Sequence, residues 1–180
     1  YEVKETKAPQ GYEKVEGAQT VTIGQRETAV SIAIENTRIL GTLTVTKVDA
    51  DNNNAPLQGA EFTLYEAGPD GEVGEQVGDP QTTGEDGIVT FEGLAWGDYV
   101  VKETKAPQGY EKVEGAHKVT INQEATEVEV EIENTRTLGT VTVTKVDADN
   151  DNAPLAGAEF TLYNKETGEF IKNPKGINYV

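Results

Sequence analysis

Leu43-Thr44-Val45-Thr46-Lys47 is the stretch that decides the fold of this chain. Apolar and polar residues alternate along it, and side chains in a strand point to opposite faces with period two. Leu43 and Val45 therefore face a core, and Lys47, which shares their parity, faces it with them. The same count places Tyr99, Val101 and Glu103 on one face of a second strand. In a third, Val128, Val130, Ile132 and Asn134 share a face while Glu129, Glu131 and Glu133 look to water. A lysine, a carboxyl and a carboxamide aimed singly into a core are costly. Together they are the ingredients of an amide bond that the protein makes for itself between Lys47 and Asn134.

The sequence also repeats. Tyr1-Glu2-Val3-Lys4-Glu5-Thr6-Lys7-Ala8-Pro9-Gln10-Gly11-Tyr12 returns from Tyr99 to Tyr110 with a single change, and Glu103 stands 103 − 5 = 98 residues after Glu5. Asn134 follows Asn36, and Lys145 follows Lys47, at the same offset. A unit of roughly a hundred residues is too long for a solenoid repeat and suits one globular domain of a tandem array. Residues 1–38 read as the C-terminal part of one repeat, 39–137 as a complete repeat, and 138–180 as the N-terminal part of another that diverges after Tyr163. Only the middle repeat holds all three inward polar residues. Glu5 and Asn36 lack a preceding lysine, and Lys145 lacks its carboxyl and amide. A window cut from a longer array explains this frame. Complementation between half-repeats by strand exchange is the other explanation.

Within residues 39–137, six runs carry strand signals: Gly41 to Val48, Glu61 to Tyr65, Gly87 to Phe91, Gly97 to Lys102, His117 to Asn122 and Glu127 to Glu133. They are rich in Thr, Val, Ile and Tyr or alternate cleanly, and Gly, Pro, Asn and Asp clusters divide them. Six or seven short strands at this spacing predict an all-β protein, a tandem array of immunoglobulin-like β-sandwich domains. The acidic stretch Glu66 to Asp79 is too irregular to assign. The turn at 93–99 is expected to deliver Trp96 and Tyr99 to one end of the core.

Composition narrows the function classes. The chain has 32 acidic against 15 basic residues, a net charge of −17, which repels nucleic acid and anionic membrane alike and serves solubility. It contains no cysteine, so neither disulfides nor thiol chemistry are available. No apolar run reaches membrane-spanning length, and no membrane insertion is expected of this segment. No cofactor or metal is called for. Asp49-Ala-Asp51-Asn-Asn53 and its copy from Asp147 lack the glycine and glutamate of a calcium loop, so they read as turns. His117 has no histidine or cysteine partner, aligns with Gln19, and reads as a surface residue.

The run Tyr99-Val-Val-Lys-Glu103-Thr-Lys-Ala-Pro107-Gln-Gly109-Tyr110 resembles the "E-box" of pilin and adhesin domains of the collagen-adhesin B-repeat (CnaB) type, the prealbumin-like pilin domains of Gram-positive bacteria. Thr46-Lys47-Val48-Asp49, the run from Pro56 to Tyr65, and Ile132-Glu-Asn134-Thr135 resemble that family's first, second and last strands. The resemblance implies a reversed immunoglobulin-like sandwich with an intramolecular isopeptide bond. In it, Lys47 is the nucleophile, Asn134 the amide that loses ammonia, and Glu103 the catalyst that manages protons. By the same matching, Glu5 and Asn36 belong to the preceding bond and Lys145 to the following one. The implied role is a structural stalk or shaft module of a cell-wall-anchored, extracellular adhesin or pilin, not an enzyme, since the protein is its own single-turnover substrate. Its partners are neighbouring repeats, with host matrix protein or glycan bound through other domains. The alternative is a ligand-binding adhesin domain for such a host molecule.

The chemistry stands without the resemblance. Burial lowers the pKa of a lysine and raises that of a carboxyl, so a buried pair can exist as neutral amine and neutral acid. A neutral Lys47 can attack Cγ of Asn134 while Glu103 hydrogen-bonds the amide oxygen and carries protons to the leaving ammonia. Folding supplies the proximity, worth up to roughly 7–11 kcal/mol of barrier. The rival reading is a lysine that snorkels, its head in water.

Overall fold

A computed structural model describes residues 1–25, 29–163, 165 and 168. The chain divides into two compact units, Tyr1–Leu138 and Gly139–Val180. No helix occurs among the described residues, so none is long and apolar enough to cross a membrane.

Among its described residues the first unit carries ten strands: β1 (Glu2–Val3), β2 (Gln19–Thr20), β3 (Gly41–Asp49), β4 (Ala55–Pro56), β5 (Glu61–Ala67), β6 (Val73–Thr82), β7 (Ile88–Leu94), β8 (Gly97–Lys105), β9 (His117–Ile121) and β10 (Glu127–Asn134). β1 and β2 form a small antiparallel pair of their own. One larger sheet centres on β3, which pairs in parallel with β10 along one edge and antiparallel with β7 and β4 along the other. The second runs β6-β5-β8-β9, antiparallel throughout. Leu43 and Val45 from the first sheet meet Phe62, Leu64, Val101, Val119 and Ile121 from the second in one apolar core. The fold is an all-β, prealbumin-like sandwich.

All six strands read from the sequence are present, several one to three residues longer. The stretch left unassigned contains most of β6, whose register with β5 slips at two places. Along β6 only Val77 is even half-buried, so the edge strand presents no alternation to read. The short β4 also escaped notice.

Parallel pairing of β3 with β10 has a mechanical meaning. The chain enters the sandwich at the Gly41 end of β3 and leaves it at the Asn134 end of β10, and these lie at opposite ends of the pair. Tension along the chain therefore shears the two strands past each other.

In the second unit, Val146 bridges Pro154 and the Leu155 amide donates to the Lys145 carbonyl at 2.9 Å. This copies the turn between β3 and β4, where Leu57 donates to the Lys47 carbonyl at 2.8 Å. Both aspartate-rich stretches form turns, with left-handed φ at Asn53 and Asn54 and again at Asp151 and Asn152. Sequence beyond Tyr163, where the third segment diverges, lies outside the described residues apart from 165 and 168.

Candidate functional site

Lys47 has no solvent-exposed surface, Glu103 is 3 % exposed and Asn134 is 1 % exposed. The snorkelling alternative is therefore ruled out for Lys47. Its backbone is clamped from two sides: the amide donates to Gly87 O at 2.7 Å and the carbonyl accepts from Leu57 N. Gly87 is required there, because it has φ +73° and a Cβ would lie 2.6 Å from the Lys47 carbonyl oxygen. Parallel register sets Lys47 opposite Ile132, and the amine donates to the Ile132 carbonyl at 2.7 Å, two residues before Asn134 on the same strand.

Glu103 and Asn134 meet directly. The Asn134 carboxamide donates through Nδ2 to both carboxyl oxygens of Glu103, at 3.0 and 3.3 Å, and Glu103 Oε2 also accepts the Val113 amide at 2.6 Å. The expectation from sequence was a contact between Glu103 and the amide oxygen. Instead Asn134 Oδ1 is buried with no hydrogen-bond partner among the described residues. Both Glu103 oxygens act as acceptors here, so they face the NH2 end of the amide. A buried orphan acceptor costs about 1–3 kcal/mol.

Electrostatics favour a reactive amine. Burial lowers the Lys47 pKa from 10.5 to about 8, against the opposing pull of the Glu103 and Glu133 charges. At pH 7 about one Lys47 amine in ten is then neutral, compared with roughly one in three thousand for an ordinary lysine.

The first segment repeats half of this arrangement. Asn36 Nδ2 donates to both oxygens of Glu5, at 3.0 and 2.8 Å, and Glu5 Oε2 accepts the Val15 amide at 2.7 Å. Glu5 and Asn36 are only half-buried. The carboxyl–carboxamide contact is thus a local product of the repeat, formed with or without a lysine. Lys145 is exposed in the second unit.

The sequence reading missed three further buried polar residues among those described, Asp49, Thr63 and Thr83, and of these only Asp49 is charged. Asp49, on the same inward phase as Lys47, is 1 % exposed. Its Oδ2 accepts from Tyr110 Oη at 2.7 Å and from Arg136 Nη2 at 2.6 Å, and its Oδ1 accepts the Asp51 amide. Burial pushes the Asp49 carboxyl up, but these partners outweigh it and hold the group below the usual carboxylate range. The signal was available, because Asp147, Tyr12 and Arg38 recur at the repeat offset. His117 sits half-buried on β9. No cluster of three or more His, Cys, Asp or Glu side chains suited to a metal ion occurs among the described residues.

A sandwich of this topology with these motifs defines a class, and comparison supplies the family. The model for the SpaA domain, described as a prealbumin-like fold domain, matches residues 41–136. The chain belongs to that family. Among solved structures, the Bacillus anthracis TIE protein is similar over 96 % of this chain and 31 % of its own length, at 33 % identity and a TM-score of 0.71. The group B streptococcus pilus 2b backbone protein matches over 57 % of this chain and 43 % of its own, at 30 % identity and a TM-score of 0.47. Domains D2 and D3 of the major pilin SpaD from Corynebacterium diphtheriae match over 53 % and 47 %, at 26 % identity and a TM-score of 0.48. The chain spans less than half the length of each. Comparison with curated protein sequences gives no match.

Proposed function

We propose that this chain is part of the shaft of a Gram-positive cell-surface adhesin or pilin, stiffened by an autocatalytic amide bond between Lys47 and Asn134. Residues 39–137 are the complete repeat, 1–38 the end of the preceding one and 138–180 the start of the next. The observation that carries the reading is a fully buried lysine amine bonded to the strand of Asn134, whose carboxamide is itself held by a buried Glu103. Membership of the SpaA prealbumin-like family supports an extracellular, surface-attached location.

In the reaction, the neutral Nζ of Lys47 attacks Cγ of Asn134, forming the C–N bond as the Cγ–Nδ2 bond breaks. Glu103 takes the proton that Nζ loses and delivers it to Nδ2, which leaves as ammonia. The product removes one liability of the site, a buried amine that can carry charge. By the same matching, Glu5 would serve Asn36 in the preceding repeat, and Lys145 would be the nucleophile of the following one.

The bond locks the shear pair. Load entering at Gly41 crosses from Lys47 to Asn134 and never reaches the residues between them. By analogy with a disulfide closing a loop of this size, the cross-link is worth roughly 4–5 kcal/mol. Single-molecule pulling tests the reading. Without the bond, unfolding releases roughly 300 Å from the intervening residues. We expect that extension from Lys47→Ala and its absence from the unsubstituted chain; equal extensions in both would overturn the proposal.

A further inference from the structure

The turn Ala8-Pro9-Gln10-Gly11-Tyr12 recurs, letter for letter, as Ala106-Pro107-Gln108-Gly109-Tyr110. Its internal geometry recurs too. Tyr12 donates to the Pro9 carbonyl at 3.2 Å and Ile39 to the Gly11 carbonyl at 2.8 Å; Tyr110 and Thr137 repeat those bonds to Pro107 and Gly109 at the same distances. Gly11 and Gly109 share a left-handed φ, +79° and +86°. Their surroundings differ. Gly11 is buried, and a Cβ on it would stand 3.5 Å from three atoms of Trp96, whereas Gly109 is exposed with nothing within 4 Å of that position.

Trp96 belongs to the loop between β7 and β8, at one end of the complete repeat, and packs on that repeat's core. The first segment thus caps it with its turn. The connector adds a second constraint: Ile39 is bonded to Gly11 and Gly41 already pairs with Leu94 in the sandwich, leaving Leu40 alone between two anchored residues.

We propose that this contact is a repeat-to-repeat lock, in which the Ala-Pro-Gln-Gly-Tyr turn of one repeat caps the tryptophan loop of the repeat after it and fixes the angle between them. The matching turn at Ala106–Tyr110 is the docking surface for the tryptophan end of a further repeat of the same kind. The lock rests on the tandem-repeat part of the proposed function and is independent of the amide bond, so a failure of either leaves the other standing.

Trp96 is the sole tryptophan, which makes it a clean reporter in the full chain. Leucine at either glycine carries the same backbone penalty, since both need left-handed φ. Gly11→Leu is expected to raise the acrylamide quenching constant of Trp96 about twofold while Gly109→Leu leaves it unchanged. Equal quenching in the two variants would overturn the lock. The unsubstituted chain gives a reading that needs no variant. The Ile39 and Thr137 amides make bonds of equal length, yet the lock predicts slower hydrogen exchange at Ile39 by about tenfold or more. Equal protection of the two amides would contradict it.

Discussion

Lys47 is a fully buried amine and costs the fold unless something consumes that amine. In an Asn134→Ala variant the amide bond cannot form and the lysine stays as a buried base. Its folded pKa of about 8 lies below the ordinary 10.5, so between these values the unfolded chain binds more protons than the folded one. Stability therefore rises as pH is raised from 8 to 10.5, and below pH 8 the full penalty applies, about 3 kcal/mol. Urea midpoints measured across that range should climb for Asn134→Ala and stay flat when Lys47→Met is added. Flat midpoints in both would mean that the amine is not buried as described. Strand parity made Lys47, Glu103 and Asn134 legible from sequence: Lys47 and Asn134 close unbroken alternations, and Glu103 shares the phase of Tyr99 and Val101 although Val100 between them is buried too. Asp49 obeyed the same parity but followed the buried Val48, where the alternation fails, and looked like the first residue of a turn.

Among the elements, the end of β3 is held by charge as well as by its ladder. Asp49 ties β3 to Tyr110, beyond β8, and to Arg136, beyond β10. The Arg136 side chain is 45 % exposed, so solvent screening limits what the ion pair contributes. Asp49→Asn should cost ~2 kcal/mol at neutral pH, mainly from weakened hydrogen bonds to a buried carboxylate. Because the folded pKa is depressed, that stability is present above the ordinary carboxylate pKa of 3.8 and is lost as pH falls through the lower folded value. Thermal midpoints of the two proteins should converge on strong acidification. A gap that persists there would assign the effect to packing instead. Strands whose two faces see different environments were readable in advance. The exposed edge strand β6, with Gly74, Gly78 and Pro80, was not, because what holds it is its ladder to β5.

For the whole molecule, the proposed shaft follows from the repetition in the sequence. A one-residue free link between anchored neighbours and a turn seated on Trp96 leave little room for bending within the first unit. The repeat offset was legible at once from the sequence. The capping contact was not, since nothing in identical turns says which one is covered. The excess of acidic residues adds solubility along such an array without shaping it. Resistance of the β3–β10 pair to tension depends on one proposed covalent bond, and intact mass spectrometry of the full chain measures it directly. The account predicts a mass about 17 Da below that calculated from the sequence, the loss of one ammonia, with the full mass restored by Lys47→Ala and by Glu103→Ala. An unsubstituted chain at its calculated mass would contradict it.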